Sequence, residues 1–180
     1  PYSIAPKWYF GRHGGMDFSG GAPVVMLGGM VDGMGQEASS TMCDQNGDVL
    51  FYSDSYQLYD GTNAFKQFVN GGTSSTNSSV SFPDPADPVN RFYFVTANQD
   101  PNGGGNNGAT IGIYYYHIQR TGTGTFNVLA GPTVLATNTQ VSEQLCVGTD
   151  NNGGYWVVSH QGGGAGNGNQ IWSWNFTALG

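Results

Sequence analysis

The chain has 180 residues, of which only 9% are charged, and 12 acidic against 5 basic side chains leave a net charge of −7. Nucleic acid and anionic membrane both demand clustered cations, so neither is an expected partner. No apolar run approaches the 18 residues that would cross a bilayer as a helix, no heptads support a coiled coil, and 13% aromatic residues set the chain apart from disordered acidic tails.

Six short aromatic or β-branched runs follow one another along the chain: Trp8-Tyr9-Phe10, Val49-Leu50-Phe51-Tyr52, Phe92-Tyr93-Phe94-Val95, Ile113-Tyr114-Tyr115-Tyr116, Tyr155-Trp156-Val157-Val158 and Ile171-Trp172-Ser173-Trp174. Each is bounded by Gly, Asn, Asp or Pro, which is the mark of consecutive strands. The one arguable helix, residues 63–69, is a turn or two long, so the chain reads as all-β. Three hairpins stand out. Asp44-Gln45-Asn46-Gly47 reverses the chain before Val49, Asp84-Pro85-Ala86-Asp87-Pro88 before Phe92, and Asp150-Asn151-Asn152-Gly153-Gly154 before Tyr155. Asn-Gly supplies positive φ at low cost, and the prolines stay out of the ladder.

The hairpins resemble one repeated unit: small polar residues, a short strand, an Asp-bearing turn, an aromatic strand, then Ser or Thr. Units of 40–50 residues with about four strands predict β-propeller blades, because one such sheet cannot bury both of its faces alone. The expectation is therefore a β-propeller-like fold of about three four-stranded antiparallel blades. The first, with an N-terminal segment, occupies residues 1–72, the second 73–135 and the third 136–180. Three blades do not close a ring, so the remaining blades of a parent chain or further copies are expected partners. The Gly-rich stretches 102–108 and 162–169 read as loops.

The order of several motifs resembles a known family. Trp8-Tyr9-Phe10-Gly11, Gly15-Met16-Asp17-Phe18, Gly47-Asp48-Val49-Leu50-Phe51-Tyr52-Ser53-Asp54, Asn70-Gly71, Ser74-Ser75-Thr76, Phe92-Tyr93-Phe94-Val95-Thr96 and Tyr155-Trp156-Val157-Val158-Ser159-His160 are similar to the N-terminal propeller region of large secreted surface proteins of Bacteroidetes. Those proteins carry gliding-motility-associated or sorting domains. The resemblance runs from Trp8 to Gly180 and implies a surface scaffold or adhesin, with no catalytic residue carried over. In the family, glycine follows the first Asp of the hairpin strand; here Ser55 follows Asp54.

The chemistry-bearing residues are sparse. His13, His117 and His160 lack the spacing of a metal motif. Ser159 and His160 are adjacent on a strand and so point to opposite faces, and no GxSxG elbow exists. Asp44, Asn46 and Asp48 suggest an oxygen-rich cation loop, but Val49 and Ser55 stand where an EF-hand needs Gly and Glu. Glu37 and Glu143, the only two glutamates, precede strands at equivalent repeat positions and read as structural, or as the paired acids of a glycan-acting enzyme. The Gly162 stretch opens no helix and is no phosphate cradle. Lys7, Arg12, Lys66, Arg91 and Arg120 are scattered. Cys43 and Cys146 either pair or stay as two buried free thiols; no CxxC makes a zinc ribbon.

Trp172 and Trp174 share one strand face, where they either pack between blades or stack on sugar rings. Low charge with abundant Gly, Asn and Thr suits an extracellular or particle surface. The sequence thus points to a non-enzymatic structural or adhesive module that binds glycan or protein through loops and blade edges at a cell surface, with no cofactor. A bacteriophage tail, fibre or capsid-attached component is the alternative, and a glycan-acting enzyme fragment a third reading.

Overall fold

The computed structural model describes residues 6–31, 38–72, 77–98, 111–137, 141–161 and 170–179. Among these there is no helix, and 14 strands form four separate antiparallel sheets in which neighbours in sequence are neighbours in space. The first sheet holds β1 (Lys7–Phe10), β2 (Gly14–Asp17) and β3 (Val24–Leu27). The second holds β4 (Ser40–Cys43), β5 (Val49–Ser53), β6 (Gln57–Asp60) and β7 (Phe65–Phe68). The third holds β8 (Ser79–Pro83), β9 (Arg91–Asn98), β10 (Gly112–Gly122) and β11 (Thr125–Thr137). The fourth holds β12 (Val141–Thr149), β13 (Tyr155–Gln161) and β14 (Ile171–Phe176).

All six aromatic runs are strands, and the three Asp turns join β4 to β5, β8 to β9 and β12 to β13. The expected number of sheets needs correction. Residues 1–72 hold two sheets, because Val24-Val25-Met26-Leu27 pairs with Gly14-Gly15-Met16-Asp17 as a further hairpin. Only the second and third sheets have four strands. The boundary after residue 72 falls between β7 and β8, whereas the one after residue 135 cuts β11. The segment expected as a short helix forms β7 instead, since Asp60 reverses the chain and lays Phe65–Phe68 against β6. The Gly-rich stretches lie outside the described residues.

Alternation explains how the sheets stack. On β9, Phe92 and Phe94 enter one apolar cluster while Val95 and Ala97 enter another; on β10, Tyr114, Tyr116 and Ile118 go to the first and Ile113 to the second. Both faces of the third sheet are therefore buried, one against the second sheet and one against the fourth. Phe51 is the hub of the former contact, with its ring 5.6 Å from Phe126, 6.1 Å from Phe94 and 6.3 Å from Phe92, all edge-on. Edge-to-face contacts add to the area term. The first sheet reaches the second through Tyr9, whose ring centroid lies 4.3 Å from that of Tyr52. The first strands follow suit: β1 lies beside β4, β4 beside β8, and β8 beside β12.

Aspartates finish the hairpins. Asp44 Oδ1 accepts the backbone N–H groups of Asn46 and Asp48, at 2.9 and 3.0 Å. Asp60 does the same for Thr62 and Ala64, and Asp150 for Asn152 and Gly154. Each carboxylate thus replaces the backbone acceptor that a tight turn cannot supply. This geometry also settles the 44–48 segment as a turn, with Asp44 Oδ1 directed at backbone donors. Asp44 Oδ2 is buried and held by the charge of Arg120 Nη2 on β10, 2.8 Å away, which ties the second sheet to the third. Ser55, at the position where glycine was expected, adopts φ 69°, the conformation glycine favours. Its N–H is held by Ser53 Oγ and its hydroxyl accepts from Ser78 Oγ at 3.0 Å, a second tie to the third sheet.

Both cysteines are free, but only Cys43 is buried; Cys146 lies exposed on the outer face of β12, contrary to the expectation of two buried thiols. Burial pushes the Cys43 thiol up to about 11 and the Tyr52 and Tyr116 phenols up to about 12.

Three outcomes follow. Asp44→Ala is expected to cost about 2–4 kcal/mol in urea unfolding, because it frees two turn donors and strands Arg120, while Asp150→Ala, with no ion pair at stake, costs about 1 kcal/mol. Native protein at pH 8 is expected to release one equivalent of thiol to a disulfide reagent, from Cys146, and two after unfolding. The folded state keeps the Cys43, Tyr52 and Tyr116 protons that the unfolded chain gives up near its ordinary values of 9.0 and 10.0. Stability must therefore fall as pH rises from about 9 through 12, read as a declining thermal midpoint.

Candidate functional site

A cleft of about 400 Å³ opens where the first strands of all four sheets converge. β1 contributes Trp8, Tyr9 and Phe10, the start of the second sheet Ser39, Ser40 and Thr41, β8 Ser79, Val80 and Ser81, and β12 Val147. Small residues occupy these positions because the first strands run close together. Their hydroxyls then serve as stitches between sheets: Ser40 Oγ lies 2.7 Å from Ser81 Oγ, and Thr41 Oγ1 accepts the Tyr9 N–H at 2.9 Å. Ser79 differs. Its hydroxyl is buried in the wall and has no hydrogen-bond partner. None of the lining residues carries a charge.

Two aromatic side chains flank the cleft and stay in water. Trp8 is 47% exposed and Phe10 41%. The Trp8 indole leans on Phe18, with centroids 5.2 Å apart, so one edge of the ring is braced. A neutral cleft with fixed hydroxyls and a braced aromatic face is chemically suited to an uncharged polyhydroxylated ligand: the ring takes an apolar sugar face and the hydroxyls take its OH groups.

The other sequence candidates stand apart from this cleft and from one another. Trp172 and Trp174 are half-buried on β14, turned onto the cluster between the third and fourth sheets, and with Leu135–Thr137 they border a groove of about 520 Å³. The opposite face of β13 presents Trp156. His13 Nδ1 lies 2.7 Å from Gly29 O. His117 stacks on Tyr93 at 4.7 Å and its Nε2 meets Asp84 Oδ2 at 2.8 Å. His160 Nε2 faces Ser142 Oγ at 3.1 Å and Gln144 Oε1 at 3.2 Å, while Ser159 Oγ donates to Gln144 O at 3.0 Å. Strand alternation has separated Ser159 from the imidazole.

Among the described residues, no group of three or more His, Cys, Asp or Glu gathers to hold a metal ion. Glu143 stands on β12, and Glu37 lies outside the described residues. Lys7 pairs with Asp48, Lys66 with Asp60, Arg91 with Asp87 and Arg120 with Asp44. The scattered cations are thus used within the fold.

The cleft residues were present in the sequence as the small polar start of each repeat unit, but only the convergence of four strands joins them. Compared with known proteins, the chain matches no family model, no curated protein and no solved structure.

Proposed function

We propose that this chain is part of a β-propeller at an exported surface, and that it works without catalysis, by holding a neutral glycan in the cleft between its first strands. The observation that carries the reading is the cleft itself: four successive sheets each lend their first strand to one hydroxyl-lined space flanked by Trp8 and Phe10. First strands gathered about a common centre, with later strands running outward, are what a fan of propeller blades requires. Glycan is favoured over anionic or cationic ligands because the lining is uncharged.

The sugar-stacking role expected of Trp172 and Trp174 passes in this reading to Trp8 and Phe10, which are the more exposed and lie beside fixed hydroxyls.

The test is calorimetric titration of the 180-residue chain with neutral oligosaccharides found on a glycan array. Trp8→Ala is expected to weaken binding about tenfold, the equivalent of about 1.4 kcal/mol, while Trp172→Ala leaves affinity unchanged and lowers stability. Ser79→Ala is expected to raise the stability of the free protein by about 1 kcal/mol and to leave affinity unchanged, because its hydroxyl is buried in the wall. A glycan whose affinity is indifferent to Trp8 would place the binding elsewhere.

A further inference from the structure

The four sheets end differently. The outermost strand of the second sheet, β7, carries Lys66, and that of the third, β11, contains Pro132 and several register shifts against β10. Charges, proline and bulges are the devices that stop an edge from pairing with another chain. The two three-stranded sheets lack them. β3 reads Val24-Val25-Met26-Leu27 and β14 reads Ile171-Trp172-Ser173-Trp174-Asn175-Phe176, with no charge and no proline, and each pairs with its inner neighbour without a register break.

The free backbone groups follow from the ladder. Gln161 N donates to Gln170 O, so by antiparallel alternation Trp172, Trp174 and Phe176 bond to β13, and Ile171, Ser173 and Asn175 turn theirs to the outer edge, where no described strand pairs with them. Gly28 N donates to His13 O, which in the same way leaves Val25 and Leu27 facing outward on β3. The side chains agree: Leu27 is 84% exposed and Ile171 76%.

We propose that copies of this chain associate head to tail, with β3 of one copy adding as a fourth strand to the β14 edge of the next. The place is already shaped for it. The groove between β14 and Leu135–Thr137 continues the apolar cluster that holds Leu135, Ala136, Trp172 and Trp174. In the second sheet the equivalent place beyond the third strand is filled by β7. β3 is apolar on both faces, so either facing lays valine, methionine or leucine over the two tryptophans. Neither strand brings a charge that would need desolvation. One kind of contact covers both unguarded edges, and because it is heterologous it regenerates one free β3 and one free β14, which leads to rings or filaments.

Light scattering across a concentration series tests this apart from glycan binding, whose readout is ligand affinity. The wild-type mass is expected to rise above the 19.0 kDa of one chain. Val25→Pro and Ser173→Pro each remove an outward N–H and leave the inner ladder intact, so each variant alone is expected to stay at one chain. An equimolar mixture of the two is expected to form a dimer and nothing larger. If circular dichroism shows a proline variant unfolded, Leu27→Lys and Ser173→Lys take their places with the same expectations. A wild type that remains one chain at every concentration overturns the proposal. So does a single-edge variant that still dimerises, since that would mean self-pairing of one strand.

Discussion

A β-sheet with apolar residues on both faces cannot stand alone in water, and the second and third sheets of this protein are built that way. On β5, Leu50 and Phe51 belong to one apolar cluster while Val49 and Tyr52 belong to another. On β9 and β10 the two faces carry aromatic and aliphatic residues in strict alternation. Each such sheet must be covered on both sides, and sister sheets provide the cover. The sequential stacking, the closeness of the first strands and the cleft between them all follow from that requirement. It also has a consequence at the ends of the stack, where among the described residues the first and fourth sheets have one sister each.

Within that frame, polar groups set the register. A chain with so few charges uses its aspartates as internal acceptors rather than as solvent-facing groups. Asp44, Asp60 and Asp84 are buried, each giving one oxygen to the backbone of its own turn and offering the other to Arg120, Lys66 or His117. A hairpin closed by its own carboxylate has one favoured register. The loops between sheets are stitched in a similar way: the Asn70 N–H donates to the Tyr116 hydroxyl at 2.7 Å, and Asn77 Nδ2 donates to Leu145 O at 2.7 Å. These bonds position neighbouring sheets more specifically than apolar contact does, because hydrogen bonds are directional and apolar contact is not.

The cleft inherits its chemistry from the same economy. Positions near the convergence must be small, and serine and threonine fill them while bonding across the strands. Once those hydroxyls are fixed, they form a pre-organised set, and Ser79 is left over without a partner. Trp8 and Phe10 alternate with Tyr9 along β1, so while Tyr9 packs on Tyr52 they stay exposed at the rim of the cleft. The proposed recognition and the proposed assembly both draw on the first and fourth sheets, which among the described residues each pack on one neighbouring sheet.

The sequence by itself determined the strands and the turns. Phe92-Tyr93-Phe94-Val95 and Ile113-Tyr114-Tyr115-Tyr116 read as strands, and Asp-Gln-Asn-Gly as a chain reversal, because these depend on near neighbours; that the two strands are buried on both faces came from the stacking. The weak strands were not legible: Gly14–Asp17 and Val24–Leu27 lack aromatic signal and form strands by pairing with each other and with β1, whose Tyr9 packs on Tyr52, and Phe65–Phe68 is drawn into a strand by its pairing with β6. The site was less legible still. Ser40 and Ser81 are 41 residues apart and meet at 2.7 Å, and no local pattern distinguishes them from other serines. The two tryptophans of β14 and the tryptophan of β1 look alike in sequence; tertiary packing turned the first pair onto a neighbouring sheet and left Trp8 beside the cleft. Local periodicity decides which backbone a segment adopts, whereas which side chains share a cavity depends on long-range burial, and that exists only once the sheets have stacked.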